Sequence, residues 1–532
     1  MFKQVLYREE AREKTKSGIN KIVDAIAVTL GPLGRNVIIA RADVIDYGVR
    51  SYPLHITKDG VTVARSFELE DTFEKVGVVA VKEATSKTVY ECGDGTTTTA
   101  VLLRAIYNEG LKQIESGANP MELKIGIEKA VEYVVEQLKS MSTPIKGNIE
   151  RIKQIATISA NNDSSIGNLI AEAFEKIGDE GVIDLEASGG NKTEIKVADG
   201  YKFEKSWVHP YFITNKEKQT VELIDPLILL YENKITHHTQ VIRAVEICMQ
   251  QGKPLLIVCE DADEEGLAFL LMNNAQKRIS VCVVKSPFGS AKMDGMEDLA
   301  TVTGATYMMN SKGTNVKEIE LAHFGTAKKV LVTKDETVII GGGSNKKHFE
   351  TVINELRMNL AQAKTEDEKE PIEKRIAQLK GGVAVIRVGG TTDTEMKEKL
   401  DRFDDAVRAT KSAIAEGFVV GSGTIFHKIK FEGFEKESID VQKGIDIISI
   451  ALSAPLSQIV SNTGKPLGSI LPIVQESKDN CGYNAKTDKI ENLLESGVID
   501  PTKVLRCSLQ NAASAASMLL TSECIIADSV NS

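Results

Sequence analysis

Cys92-Gly93-Asp94-Gly95-Thr96-Thr97-Thr98-Thr99 leads straight into the apolar run Ala100-Val101-Leu102-Leu103. Two glycines around one carboxylate, followed by four threonines, read as a tight turn that opens a helix. The N–H groups of a helix's first turn have no partner inside the helix, so they attract anions. Threonine hydroxyls add donors, and glycine lets a phosphate approach the main chain. Asp94 repels a phosphate unless a cation intervenes, so the residues imply Mg²⁺ between Asp94 and a nucleotide. The competing reading is a capped helix with a polar first turn. The familiar phosphate loops do not match, because neither G-x-x-x-x-G-K-[ST] nor G-x-G-x-x-G occurs here.

Other short segments stand in order around this loop. Before it come Thr29-Leu30-Gly31-Pro32-Leu33-Gly34-Arg35-Asn36 and Ile56-Thr57-Lys58-Asp59-Gly60-Val61-Thr62-Val63-Ala64. After it come Thr157-Ile158-Ser159-Ala160-Asn161, Gly381-Gly382-Val383-Ala384-Val385-Ile386, and Asp405-Ala406 ahead of Ala409-Thr410. Gly482-Tyr483-Asn484-Ala485 and Asp500-Pro501-Thr502-Lys503-Val504 close the series. Taken together and in register, these segments resemble the chaperonins, specifically the bacterial and organellar GroEL-like group, along nearly the whole chain.

The composition agrees with a large globular protein. A chain of 532 residues predicts two to four domains, and 42% hydrophobic with 26% charged residues is ordinary for a packed fold. Aromatics are only 5%, so the cores are built from Val, Ile, Leu and Ala. A net charge of −10 argues against general nucleic-acid binding. No run of 18 consecutive apolar residues exists, which predicts no membrane span. Met1-Phe2-Lys3-Gln4 has no apolar signal region, so the expected location is cytoplasmic, in a bacterium or in the host cell of a virus. Seven scattered cysteines without a C-x-x-C pair argue against a disulfide framework or a zinc site.

The texture changes along the chain. The first 140 residues read mostly as helix, with a stripe at Leu123, Ile127, Ala130, Val134 and Leu138. From Val182 short apolar runs predict buried strands: 254–259, 279–284, 330–332 and 338–340. Residues 349–379 read as two helical stripes separated by the charged span 365–371, which predicts a solvated hairpin. The last hundred residues return to helix. The fold class is therefore multidomain α + α/β. The resemblance implies a mainly α equatorial domain from 1–143 and 417–532. It implies a small α/β intermediate domain from 144–199 and 382–416, and an α/β apical domain from 200–381.

The resemblance also implies an ATPase using Mg²⁺ and K⁺. Thr29, Leu30, Gly31 and Pro32 would meet the nucleotide, with Gly93, Asp94, Gly95, Thr96, Thr97 and Thr98 on the phosphates. Asp94 would hold Mg²⁺, and Thr29, Lys58 and Thr97 would hold K⁺. Ile158, Ser159, Gly421, Ser422, Ile459, Asn484, Ala485, Val498 and Asp500 would line the base and ribose side. Asp405 and Asp59 match the family's catalytic carboxylates, with Asp405 arriving when the intermediate domain swings down. Two positions depart from the pattern: Leu33 stands for a usual Lys, and Ser422 for the middle glycine of a Gly-Gly-Gly run.

Unfolded proteins share exposed apolar surface, so a general binder needs exposed apolar side chains of its own. The resemblance marks Trp207, Tyr211, Phe212, Ile242, Val245, Leu267, Leu271 and Met272 for that role. Expected partners are copies of this chain in a heptameric ring, single or double, unfolded client proteins, and a ring-shaped co-chaperonin lid. Ser457 replaces an Arg that helps rings stack, and Asn462-Thr463-Gly464-Lys465-Pro466 lacks the usual acidic pair, which favours a single ring, while the longer 36–59 bears on side-to-side contact. The end at Asn531-Ser532 lacks Gly-Gly-Met repeats, which fits a divergent paralogue. A passive holding ring and an ATP-dependent small-molecule transferase are the competing functions.

Overall fold

The computed structural model describes residues 3–40, 44–46, 49–51, 54–145, 147–160, 162–178, 181–188, 190–216, 219–287, 291–309, 316–362, 369, 371–372, 375–376, 378–379, 381–434 and 437–528. The expectations for Asn161, for most of 365–371 and for Asn531-Ser532 lie outside the described residues. The chain divides into two compact units, Met1–Glu172 with Lys397–Ser532, and Ala173–Met396. The stretches expected to form an intermediate domain are shared between these two units.

The first unit is a helical bundle. The stripe on helix Pro120–Met141 is buried throughout, from Leu123 to Leu138. It packs on helix Ile439–Ala451 through a contact that only glycine allows. A Cβ at Gly126 would lie 2.1 Å from the Val441 carbonyl oxygen, and one at Gly444 would lie 2.3 Å from that of Leu123. Among the described residues one stretch, Ile439–Asn462, is long and apolar enough to cross a membrane. Here Val441, Ile445, Ile448, Leu456 and Val460 are all buried in this unit's cores.

Three short antiparallel ribbons matter for the site. Phe418–Val420 pairs with Ile499–Pro501, setting Val419 opposite Asp500. Cys481–Asn484 pairs with Lys489–Asn492. Val37–Ala40 pairs with Leu54–Thr57, and the extra residues between them add a second ribbon, Val44–Asp46 with Val49–Ser51. The ends of the chain pair with each other, Val5 opposite Ile526.

The second unit is built on a ten-stranded mixed sheet. Its main path runs Val281–Lys285, Leu255–Cys259, Leu227–Tyr231, Gly325–Val332, Thr337–Gly342, Glu194–Phe203, Gly382–Val388, Val182–Ala187. The first three strands are parallel, and Leu227–Tyr231 and Leu255–Cys259 are buried at every position. That is the pattern of strands covered on both faces, as their unbroken apolar runs predict. Helices Ile242–Gln251 and Glu264–Ala275 flank them. Lys329 carries a charge into this interior, where its ammonium meets Asp184 at 2.8 Å and Glu222 at 2.9 Å.

Adding one methyl at Gly126 forces the two helices of the first unit apart. Gly126→Ala is expected to cost about 1–3 kcal/mol as overpacking. Calorimetry should show a lowered first-unit transition, and an unchanged midpoint would mean the contact is loose.

Candidate functional site

Helix Glu74–Cys92 ends at Gly93 with φ 78°, and Gly95 with φ 95° precedes helix Thr96–Glu115. Both angles lie in the left-handed region that glycine tolerates. Space forbids a side chain as well. A Cβ at Gly93 would lie 2.0 Å from Arg408 Cβ, and one at Gly95 would lie 2.6 Å from Ser508 Oγ. The loop is thus clamped between helices Asp393–Glu416 and Thr502–Leu520. Gly95 is the N-cap and supplies no side-chain cap, so the first-turn N–H groups are left for another acceptor. This removes the capped-helix reading of the loop.

The threonines divide by role. Thr99 is buried, and its hydroxyl donates to the Gly95 carbonyl at 2.9 Å. Thr97 Oγ1 lies 3.3 Å from Thr29 Oγ1, which brings together two of the three residues expected at K⁺. Lys58 Nζ donates to the Gly31 carbonyl at 3.1 Å and approaches that of Pro32 at 3.5 Å, while burial lowers its pKa. Gly31 sits at φ 83°, with Ile459 3.4 Å from where a Cβ would be. Asn462 Nδ2 donates to the carbonyls of Ala27 and Leu30, both at 2.9 Å, and so pins the 27–31 turn. Asn462 was not expected here, and a lone Asn carries no sequence signal for such a contact.

Four carboxylates gather around the loop. Asp94 Oδ1 accepts from the Gly95 N–H at 2.5 Å, and Ser159 also favours its charged form. Asp59 caps helix Gly60–Ser66, accepting from Val61 N–H at 3.0 Å and Thr62 N–H at 2.8 Å. Thr62 Oγ1 adds a third bond at 2.6 Å. Asp405 projects from helix Asp393–Glu416 and already stands with Asp59 and Asp94, whereas the sequence led us to expect it only after a domain swing. Burial, and then the charges of Asp59 and Asp94, hold the Asp405 carboxyl well above the usual carboxylate range, while the Arg408 guanidinium opposes them. Burial also raises Asp94, with Asp59 adding to it. Asp500 is pushed up to about 7 by burial and by the Asp94 charge.

Arg408, the cation beside this cluster, is paired with Asp404 at 3.2 Å. Among the described residues no three His, Cys, Asp or Glu side chains converge tightly enough to hold a metal ion by themselves. Mg²⁺ in proteins often takes one or two carboxylates and fills its shell with phosphate oxygens and water. The donor set fits that mode, with Asp94 as the carboxylate nearest the open N–H groups.

Of the remaining expected residues, Gly421 stands against Asp500. A Cβ at Gly421 would lie 3.0 Å from Asp500 Oδ1. Ser422 adopts φ 59°, the backbone of the glycine it replaces, and its hydroxyl donates to the Tyr483 carbonyl at 2.8 Å. That bond offsets part of the 1–3 kcal/mol or so that a left-handed non-glycine costs. Ile459 and Ala485 share a small core that Leu30 packs against, and Val498 packs on the main helical core. Asn484 Nδ2 donates to Glu491 at 2.6 Å, and Ile158 is half-buried next to Ser159.

In the second unit the candidate client residues separate. Tyr211, Met272 and Ile242 are exposed, at 77%, 55% and 39%. Trp207, Leu267 and Leu271 are partly buried against the core. Phe212 and Val245 correct the expectation, because both are buried. The 3-10 turn Pro210–Phe212 turns Tyr211 out and Phe212 in. Helix Ile242–Gln251 buries Ala244, Val245, Ile247 and Cys248, so the edge of its buried face falls between Ile242 and Val245. Met249, seven residues after Ile242, is exposed and was missed.

Residues 22–529 match the model of the TCP-1/cpn60 chaperonin family. The chain belongs to that family. Its members are in general ATPases. The chaperonin is also similar in fold to chaperonin gp146 from the bacteriophage EL 2 (Pseudomonas aeruginosa), crystallised in the presence of ATP-BeFx. One crystal form superposes with TM-score 0.71 at 22% identity, covering 99% of both chains. A second gives TM-score 0.65 at 23% identity, again over 99% of both.

The Asp500 shift has a stability consequence. A carboxyl whose folded pKa is raised makes the folded state lose stability as pH climbs from the ordinary Asp value to about 7, with no further loss above it. Asp500→Asn in the nucleotide-free chaperonin should therefore raise the thermal midpoint by a few degrees at pH 8 and leave it unchanged near pH 4. Equal midpoints at pH 8 would mean that the carboxylate is already neutralised.

Proposed function

We propose that this chaperonin hydrolyses ATP at the carboxylate cluster and uses the cycle to capture, enclose and release unfolded proteins. The observation that carries this reading is an uncapped helix N-terminus, opened by a glycine turn, beside half-buried carboxylates of raised pKa. The N–H groups and the Thr96, Thr97 and Thr98 hydroxyls suit a triphosphate. Asp94 would hold Mg²⁺, which when bound supplies charge neutralisation to the phosphates. Thr29 and Thr97, with the Lys58 segment, would hold K⁺. Asp405 is the residue for orienting a water and taking its proton. Asp59 spends both oxygens on its helix cap, so its part is to hold that helix and add negative charge. Asp500, Gly421, Ser422, Ile459, Asn484, Ala485, Val498, Ile158 and Ser159 would form the base and ribose side.

Client capture would fall to the apolar side chains of the second unit, chiefly Tyr211, Ile242 and Met272, with Leu267 and Leu271. Seven copies in a single ring, a lid that competes for the same face, and a cytoplasmic setting complete the reading. A passive holding ring is the second reading. The company Asp405 keeps with Asp94 favours turnover over holding.

Asp405→Ala should bind ATP with little change yet hydrolyse it at least about a hundredfold more slowly. Electron microscopy of that ATP-loaded variant should show seven-membered single rings. Unchanged turnover would remove Asp405 from the chemistry, and stable double rings would remove the single-ring assignment.

Met272→Glu puts a charge on the exposed apolar face without entering the core. Light scattering of a denatured client should show aggregation no longer suppressed, with ATPase rate within about twofold of the parent. Full suppression of aggregation would take Met272 out of the client face.

A further inference from the structure

Cys92 ends helix Glu74–Cys92, one residue before the glycine turn, and Cys507 lies on helix Thr502–Leu520. They are 415 residues apart in sequence, 507 less 92. With Val504 they form a small buried cluster of their own, Cys92 2% and Cys507 3% exposed. The Cys92 thiol donates to the Lys503 carbonyl at 3.6 Å and packs in the same cluster as Cys507. The other cysteines are placed differently. Cys259 and Cys282 stand on neighbouring strands, yet Cys282 pairs in register with Leu256 and Cys259 with Lys285. Cys248 is buried apart, and Cys524 is exposed near the end of the chain.

We propose that Cys92 and Cys507 are a reversible disulfide site, oxidised by a hydroperoxide, that loosens the nucleotide loop when it closes. The functional half of this inference rests on the ATP reading above. The step balances with one hydroperoxide. The Cys507 sulfur attacks a peroxide oxygen, the O–O bond breaks, and Cys507 becomes a sulfenic acid as water or an alcohol leaves. The Cys92 sulfur then attacks the sulfenic sulfur. An S–S bond forms, the S–O bond breaks, and hydroxide departs as water with the Cys92 proton. Two thiols lose two electrons, and the peroxide gains them.

Cys507 is the thiol suited to attack first. It follows Arg506 in the chain, and a guanidinium beside a thiol favours its thiolate. Arg506 is itself held by a two-pronged pair with Glu416, at 2.6 and 3.0 Å. Cys92 is suited to resolve, because it packs against Cys507 in the same cluster.

The consequence follows from clearances around the loop. An S–S bond is about 2.05 Å, far inside the contact distance of two thiols, so closure draws the end of helix Glu74–Cys92 toward helix Thr502–Leu520. The Cys92 carbonyl also accepts from Ser412 on the Asp405 helix at 3.1 Å. The next residue, Gly93, has no spare room against Arg408, and Gly95 has none against Ser508 and Val504. Moving Cys92 therefore moves Asp94 and the open N–H groups. A displacement near 1 Å is enough to weaken a positioned contact set by about tenfold or more.

The test uses the full chain. After hydrogen peroxide treatment and alkylation, peptide mapping should find one linked peptide joining Cys92 to Cys507. ATP affinity measured by calorimetry should fall about tenfold and return with reductant. Cys507→Ser should keep the affinity of the reduced parent and ignore peroxide. Free thiols at both positions, a link to another cysteine, or a linked protein with unchanged ATP affinity would each overturn the proposal. The peptide map needs no nucleotide. A reduced protein that failed to bind ATP would count against the proposed function, and the map would still decide whether the thiols pair.

Discussion

The repulsion that Asp94 exerts on Asp405 and on Asp500, with Asp59 adding to it at Asp405, is the constraint around which the first unit is arranged. Asp94, Asp405 and Asp500 are each half-buried, each is raised, and each lies on a different element: a loop, a helix and a short ribbon. Desolvated like charges cost several kcal/mol unless a counter-charge or a proton joins them. The bundle absorbs that cost through its packing, including the glycine-to-glycine contact of Gly126 and Gly444. In the proposed cycle, a cation and a phosphate chain would relieve the repulsion, so binding would draw on free energy that folding left stored. The helix bearing Asp405 would gain most, since its carboxyl feels both Asp59 and Asp94.

Charge alone does not make a site, and the backbone clearances supply the rest. Gly93 and Gly95 are fixed by contacts that leave no room for a methyl group. On the opposite side, Asn462 holds two carbonyls of the 27–31 turn with one amide. Ser422 occupies a glycine's backbone conformation and repays part of the strain through Tyr483. Three rigid pieces thus meet without a flexible joint in the loop itself, which is what a preorganised anion site requires.

How far the sequence foretold this varies with the range of the contact. The threonine loop and the helical stripe from Leu123 to Leu138 were legible because each is a local pattern of turn chemistry or periodicity. Strands such as Leu255–Cys259 were legible for the same reason. Asn462, Arg408 and Cys507 were not, because each meets the loop or its neighbours across hundreds of residues and no periodicity marks such a contact. Asp59 was legible as an acid near the site, but its cap on Gly60–Ser66 appears only in the folded turn. Phe212 and Val245 were misread because an apolar residue one or three places from an exposed one looks the same in sequence. The turn at Pro210 and the phase of helix Ile242–Gln251 decide which one faces in.

That division of the apolar residues bears on how a client would be held. The exposed set is small and interrupted: Tyr211, Ile242, Met249 and Met272, with an Arg243–Glu246 ion pair beside Ile242. Apolar burial contributes roughly 25 cal/mol per Å², so a few such side chains would hold a client weakly in one copy. Repeating the patch around a ring multiplies the grip without any new contact, because the second and later contacts become intramolecular. The same arithmetic makes release abrupt. If nucleotide binding shifts each copy even modestly toward a state that hides the patch, the loss compounds around the ring. A sparse patch of flexible methionines and one tyrosine therefore suits a binder that must let go. A continuous apolar groove would hold clients more tightly than ATP-linked differences of a few kcal/mol could reverse.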